Sequence, residues 1–330
     1  EEALGATVEL EDLGAAAIEH LDRPVFEQTR GQRAFAAARA LLRLDEEPCA
    51  AMLLVEFFDD DGSRLAELER RALGRRSLAC ATPAAQEMVW SLRRAGLSLL
   101  TSRAGAAKPV SGLEDVCVRP GQLPAYVAGL REILAPLGLE ASFYGHAASG
   151  ELHVRPVLNM KGDGRLRMRA IAEEAADLVR RYKGAYSGEH GDGLVRSEWI
   201  APFFGPRLTA ALGEIKGWFD PRGLMNPGKI VTPPKQDDRS LFRYKPDYRA
   251  EAPATVLDWS AWGGLPGAVE MCNNNGHCRK FDAGTMCPSW RVTKDEKHLT
   301  RGRANTLRLA LSGQLGHEAL TSPAMRETMD

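Results

Sequence analysis

Phe143-Tyr-Gly-His-Ala-Ala-Ser-Gly-Glu-Leu-His-Val-Arg155 is the stretch whose reading decides the fold, and Ser187-Gly-Glu-His-Gly-Asp-Gly193 completes it. Together the two segments hold three of the chain's seven histidines. Phe143 and Tyr144 favour a strand, Ala147-Ala-Ser-Gly150 supplies a turn, and Leu152-His-Val-Arg-Pro-Val-Leu158 resumes alternation. Across such a hairpin His146 and His153 can face each other, near enough to share one ion. Two imidazoles and a carboxylate suit a zinc-like or manganese-like divalent ion with one position open for substrate. Glu189 can supply the carboxylate. His190 beside it cannot easily bind the same ion and is left to act as a base. Two core histidines and a solvated Glu-His turn are the plainer alternative, but two histidines around one turn with a later Gly-Glu-His-Gly favour a site.

At these residues the chain resembles the FAD-linked 2-hydroxyacid dehydrogenases of the vanillyl-alcohol-oxidase fold, the group with D-lactate, glycolate and D-2-hydroxyglutarate dehydrogenases. The family pattern is Gly-His-x-Gly-Asp-Gly-Asn-x-His, then Gly-Glu-His-Gly, then Asp-Pro-x-x-x-x-Asn-Pro-Gly-Lys. The last piece here is Phe219-Asp-Pro-Arg-Gly-Leu-Met-Asn-Pro-Gly-Lys229. The motifs run in the family's order, and the resemblance spans most of residues 1–235. Ser149 and Glu151 stand where the family turn carries Asp and Asn, and that Asn helps hold substrate in relatives. Within the family the chain most resembles the fused type that carries an iron–sulfur region after the flavin part.

The bulk properties fit an ordinary globular protein. At 330 residues there is room for two domains, and 44% apolar content supports a full core. A net charge of −1 gives no electrostatic argument for nucleic acid or an anionic membrane. No apolar run approaches the length of a membrane-spanning helix. Six cysteines are too few for a disulfide scaffold, and three of them crowd together at 272–287. A reducing compartment fits, so the expected location is cytoplasmic, with the inner-membrane surface as a peripheral alternative. The start at Glu1-Glu-Ala-Leu-Gly, without Met or a signal-like segment, reads as a cut through a larger protein.

The expected fold class is α+β: a ferredoxin-like cap with an antiparallel sheet and flanking helices over 1–235, a linker over 236–255, and a small helical iron–sulfur segment over 256–330. Ala3–Leu10 is expected as a strand, Gly31–Leu44 as a helix, and Met52–Phe58 as a buried strand. Asp59-Asp-Asp-Gly62 reads as a turn and Ser63–Arg75 as an amphipathic helix. Thr82-Pro83 opens a further helix as N-cap and first-turn proline. On it lies Trp90-Ser-Leu-Arg93, by pattern a half-buried Trp with a surface Arg. The resemblance implies more, because relatives carry Trp-x-x-Arg here and clamp the substrate carboxylate with the Arg. A guanidinium suits that task through two parallel hydrogen bonds and a permanent charge. Leu97 replaces the relatives' next polar residue, leaving Arg103, Lys108 and Arg155 as candidate substitutes. Glu114–Val118 reads as a strand, Leu123–Leu137 and Arg167–Tyr182 as helices with apolar faces, and Leu208–Phe219 as a short helix. Asn226 and Lys229 belong to the segment that lies against the flavin in relatives.

In the tail, Cys272, Cys278 and Cys287 form C-x5-C-x8-C-P. A cysteine before proline suits the last ligand of a ferredoxin-type run. Structural zinc on three Cys with His277 or His298 is the rival, and free thiols the third reading. The resemblance puts a [4Fe–4S] cluster first, with no fourth ligand in the segment and a further iron–sulfur region expected beyond it. It also implies oxidation of a D-2-hydroxy acid to a 2-oxo acid: Arg93 on the carboxylate, His190 as base, the ion on His146, His153 and Glu189, and FAD as hydride acceptor. Electrons then leave through the cluster to a quinone or an electron-transfer protein. The chain has no Gly-rich phosphate loop, so FAD is expected to be bound mostly by a preceding domain, and this piece alone to turn over poorly. Two other classes remain: a non-catalytic α+β binding module with a zinc-stapled tail, and a metal-dependent hydrolase using the same His-His-Glu set.

Overall fold

A computed structural model describes residues 1–58, 61–281 and 286–330. The chain divides into two compact units, residues 1–100 with 108–238 and residues 101–107 with 239–330. The turn expected over Asp59–Gly62 lies partly outside the described residues.

The first unit opens with helix α1 (Glu2–Glu9) and strand β1 (Ala17–Asp22), then α2 (Arg23–Glu27), α3 (Ala36–Leu41), β2 (Ala51–Glu56), α4 (Ser63–Arg71) and α5 (Pro83–Thr101). There follow β3 (Ala107–Pro109), β4 (Leu113–Cys117), α6 (Leu123–Leu134), β5 (Ala141–His146), β6 (Glu151–Asn159), α7 (Gly164–Arg181), α8 (Gly193–Arg196) and α9 (Ile200–Phe219). The fold is α+β, with one sheet in the order β2-β1-β5-β6-β3 and β4 also paired to β6. The β1–β2, β1–β5, β5–β6 and β4–β6 pairs are all antiparallel.

The expected hairpin is present as β5 and β6 joined by a single 3₁₀ turn at Ala147–Ser149. Gly150 closes that turn at φ +76, where a Cβ would come within 1.7 Å of the Val118 carbonyl oxygen. Only glycine fits there. The alternation along each strand sorts side chains onto two faces. One face carries Ile18, Phe143, Leu152 and Val154 into the main core with Tyr126, Val127 and Leu130 of α6 and Ile171, Ala175 and Val179 of α7. The other carries Leu21 and Tyr144 into a smaller core with Val25, Phe26, Leu92 and Leu100. Glu19, His146, His153 and Arg155 share that second face by strand parity.

Several expectations are corrected. Residues 3–10 are helical, because Leu4, Thr7 and Leu10 are buried at helical spacing and the apparent alternation is incidental. β1 gives no strand signal in the sequence, since its Glu19, His20 and Asp22 are polar yet buried. The helix expected over Gly31–Leu44 shortens to α3 behind a 3₁₀ turn, and β2 is half-buried. α9 begins eight residues earlier than Leu208, with a break at Gly205 (φ 76, ψ 175) before Pro206. The Thr82 cap is present, its Oγ1 accepting from the Ala85 amide at 3.3 Å.

In the second unit, α10 (Leu265–Glu270), α11 (Pro288–Thr293), α12 (Thr300–Leu311) and α13 (Pro323–Met329) are short, and α10 packs on α12. Within 239–255, Tyr248 Oη donates to Glu270 at 2.8 Å and the Glu251 amide to Leu311 at 2.8 Å. Among the described residues no helix is long and apolar enough to cross a membrane.

Candidate functional site

The second face of the sheet gathers the chemistry. β1 lies against β5 with Glu19 as the Cα partner of His146. Glu19, buried, accepts from His146 Nδ1 at 2.7 Å and from Arg93 Nε at 2.6 Å. Arg93 also lies over the Tyr144 ring at 5.5 Å. Burial alone would raise the Glu19 carboxyl, but His146 and Arg93 outweigh it and hold it below the usual carboxylate range. The Glu19 bond in turn raises His146. It also settles His146 chemically: Nδ1 carries the proton, and Nε2 is left as the ligand or acceptor atom.

His153 is the Cα partner of Tyr144, one diagonal step from His146, and the two imidazoles meet edge to face at 5.5 Å. Its Nδ1 is bonded to the Glu114 carbonyl, so Nε2 is again the outward atom. Burial is the largest cause lowering His153, which favours the neutral ring a metal requires. Glu189 Oε1 lies 3.4 Å from His146 Nε2 and 4.0 Å from His153 Nε2. Glu189 thus neighbours both histidines expected as ligands.

The segment 187–190 is held by Asp115, which in the sequence is one polar residue within an expected strand. The β4–β6 register shifts by one between Leu113 and Val116, a bulge that displaces Glu114 and Asp115 from regular pairing. Asp115 is fully buried. Its carboxylate accepts from Ser187 Oγ at 2.6 Å and from the Glu189 and His190 amides, each at 2.9 Å. Arg196, itself buried, donates to Glu114 at 2.8 Å and lies 3.5 Å from Asp115. Burial would raise Asp115, yet Ser187 and the two amides keep it low. His190 stacks on His153 at 5.1 Å, with Nδ1 3.5 Å from Asp115 and Nε2 3.4 Å from Glu189.

One ligand atom from each of Glu151, His153, Glu189 and His190 can be chosen so that all four lie within 4.8 Å of one another. This set lacks His146, expected as a ligand, and contains His190, expected as the base, and Glu151, for which the sequence gives no ligand role. Glu151 is 5% exposed. Burial, then the nearby Glu189 charge, pushes its carboxyl up to about 7. The donor chemistry of this face, imidazole and carboxylate, fits a divalent ion.

Of the suggested substitutes for a polar residue at 97, Arg155 lies on this face, donating from Nε to Tyr144 Oη at 3.0 Å and from Nη1 to Ser111 at 3.3 Å. Leu97 itself is 46% exposed. Asn226 adopts φ +45 and is exposed, next to exposed Leu224, Met225 and Ile230, while Lys229 Nζ donates to the Pro227 carbonyl at 3.2 Å. In the second unit Cys278 and Cys287 are buried together with Leu299, and Cys272 is half-buried. Cys287 Sγ lies 3.0 Å from both the amide and Oγ1 of Thr300, and Asn305 Nδ2 lies 3.8 Å from Cys272 Sγ.

The family model described as FAD linked oxidases, C-terminal domain, matches residues 1–230. The chain belongs to that family. It is 37% identical over 238 residues to a D-2-hydroxyglutarate dehydrogenase of Pseudomonas putida, covering 71% of this chain and 23% of that protein. A D-2-hydroxyglutarate dehydrogenase of Escherichia coli is 37% identical over 235 residues, covering 69% and 22%. A D-lactate dehydrogenase of Archaeoglobus fulgidus is 32% identical over 127 residues, covering 38% and 28%. The chain therefore spans less than a quarter of the length of the first two relatives. The site residues of this FAD-linked oxidase domain all fall within the matched segment; the three tail cysteines fall outside it.

Proposed function

We propose that this FAD-linked oxidase domain is the substrate-handling part of a dehydrogenase that oxidises a D-2-hydroxy acid to the 2-oxo acid. The observation that carries the proposal is the convergence of Arg93, His146, His153, Glu189 and His190 on one face of the sheet. Arg93, fixed through Nε by Glu19, still has two Nη nitrogens with which to grip a carboxylate in parallel. His190 Nε2 takes the proton of the substrate hydroxyl, and Asp115 beside Nδ1 stabilises the resulting imidazolium. His146, His153 and Glu189 would hold a divalent ion, zinc or manganese. Such an ion, when bound, lowers the pKa of a nearby hydroxyl and stabilises developing negative charge. FAD, when bound, supplies the hydride acceptor. Asn226 and Lys229, an amide and an ammonium beside exposed apolar side chains, suit the polar edge of a flat ring, and most flavin contacts would come from another domain of the protein.

The tail cysteines fit an iron–sulfur cluster in part: the donors directed at Cys287 and Cys272 are those that stabilise cluster thiolates. Cys272, Cys278 and Cys287 would hold a [4Fe–4S] cluster with a fourth ligand from elsewhere. Its chemistry is one-electron transfer toward a quinone or an electron-transfer protein. The likeness to D-2-hydroxyglutarate dehydrogenases makes a hydroxylated diacid the first substrate to try.

The test is calorimetric binding of D- and L-2-hydroxyglutarate, D-lactate and glycolate to the chain loaded with zinc or manganese. Binding of a D-acid in preference to its L-form, lost in Arg93→Ala, supports the proposal. No binding at millimolar acid, or binding indifferent to Arg93→Ala, overturns it.

A further inference from the structure

Glu151, His153, Glu189 and His190 gather on one small patch, and Glu151 is the member whose surroundings are least satisfied. Its Oε2 receives a weak contact from Cys117 Sγ at 3.5 Å. Its Oε1 is buried and accepts no hydrogen bond, lying 3.8 Å from His153 Nδ1, whose proton already goes to the Glu114 carbonyl. A Glu189 carboxylate oxygen can be chosen within 4.8 Å of a Glu151 oxygen. Asp115, which accepts from Ser187 and two amides, is a further carboxylate beside it and supplies no donor. A buried carboxylate oxygen without a donor, beside a second carboxylate, is a costly arrangement that a divalent cation converts into a favourable one.

We infer that Glu151 is a direct ligand of the divalent ion, alongside His153 and Glu189, and that it shifts the site's preference toward manganese over zinc. The inference rests on the ion reading proposed above and extends it. Two carboxylates balance the ion's double charge, whereas a His-His-Glu set leaves one positive charge over. Oxygen-rich sets suit manganese, and imidazole-rich sets suit zinc. Glu151 opens β6 immediately after the Gly150 turn, and β4 lies alongside it, so the carboxylate is held on rigid backbone. A ligand placed in this way loses little freedom on binding.

The experiment titrates Mn²⁺ and Zn²⁺ into the 330-residue chain and its Glu151→Gln, His153→Ala and Glu189→Gln variants by calorimetry, with Co²⁺ visible spectra on the same proteins. Glu151→Gln should weaken Mn²⁺ binding at least tenfold, weaken Zn²⁺ less, and change the Co²⁺ spectrum. A stability signature accompanies this. Without metal, Glu151→Gln should melt no lower than the parent, because no donor-less carboxylate oxygen is then left buried beside His153; with saturating Mn²⁺ the parent should melt higher. Unchanged affinity and spectrum in Glu151→Gln, with binding lost in His153→Ala, would overturn the ligand role and leave the ion site standing. Unchanged binding in His153→Ala and Glu189→Gln would remove the ion site itself, and the inference with it.

Discussion

At the scale of single residues, Glu19 and Asp115 set the geometry that the motif residues use. Each is buried and each holds two parts of the chain that are distant in sequence. Replacing Glu19 with Gln leaves one acceptor oxygen where two are used, so His146 Nδ1 or the Arg93 guanidinium loses its partner. Loss of such a supporting contact lowers metal affinity by ~10–100-fold in other metal sites, and a similar drop is expected here by calorimetry. His146, His153, Glu189 and His190 are legible in sequence because glycines and a turn mark their surroundings locally. Glu19 is not, because Ala17-Ile-Glu-His-Leu-Asp22 puts three polar residues into a buried strand. Asp115 is not, because its reach depends on a one-residue bulge that no local pattern announces.

Elements carry their own consequences. In β1, burial pushes His20 down to about 4 and Asp22 up to about 7, so both are neutral in the folded chain near pH 5. Between about 4 and 6.5 the unfolded chain holds a His20 proton that the folded chain lacks, which makes stability rise with pH. From about 4 to 7 the folded chain keeps an Asp22 proton that the unfolded chain has lost, which makes stability fall with pH. The two trends oppose each other. Asp22→Asn removes the second, so its stability relative to the parent should increase by ~1.4 kcal/mol per pH unit between pH 4.5 and 6.5, read by urea unfolding. In the hairpin turn, Gly150→Ala combines left-handed strain with a backbone clash against Val118 and should cost ~3 kcal/mol or more, seen as a lower urea midpoint. The hairpin itself is legible because alternation breaks at a glycine-ended turn. The helix at 2–9 gives a weak signal because Ala3-Leu-Gly-Ala-Thr-Val8, small or apolar throughout, satisfies either period.

For the whole molecule, the two units have separate cores, the His–Glu site belonging to the first and the three tail cysteines to the second. An ion at a hundred times its dissociation constant adds ~2.7 kcal/mol to the stability of the unit that binds it. Differential scanning calorimetry should therefore show manganese raising the melting of the first unit alone, an effect abolished by His153→Ala. The contact between Glu19 and His146 has one more consequence. It closes a loop of 127 residues, whereas His146 and His153 belong to one hairpin. The longer closure spans about four doublings of loop length and costs ~2.5 kcal/mol more in chain entropy. During refolding the two histidines come together early, and the carboxylate that aligns them arrives late. Metal present from the outset meets half-built sites and can trap them. Refolding in chelator, with the ion added only afterwards, should return a larger fraction of chains with native affinity.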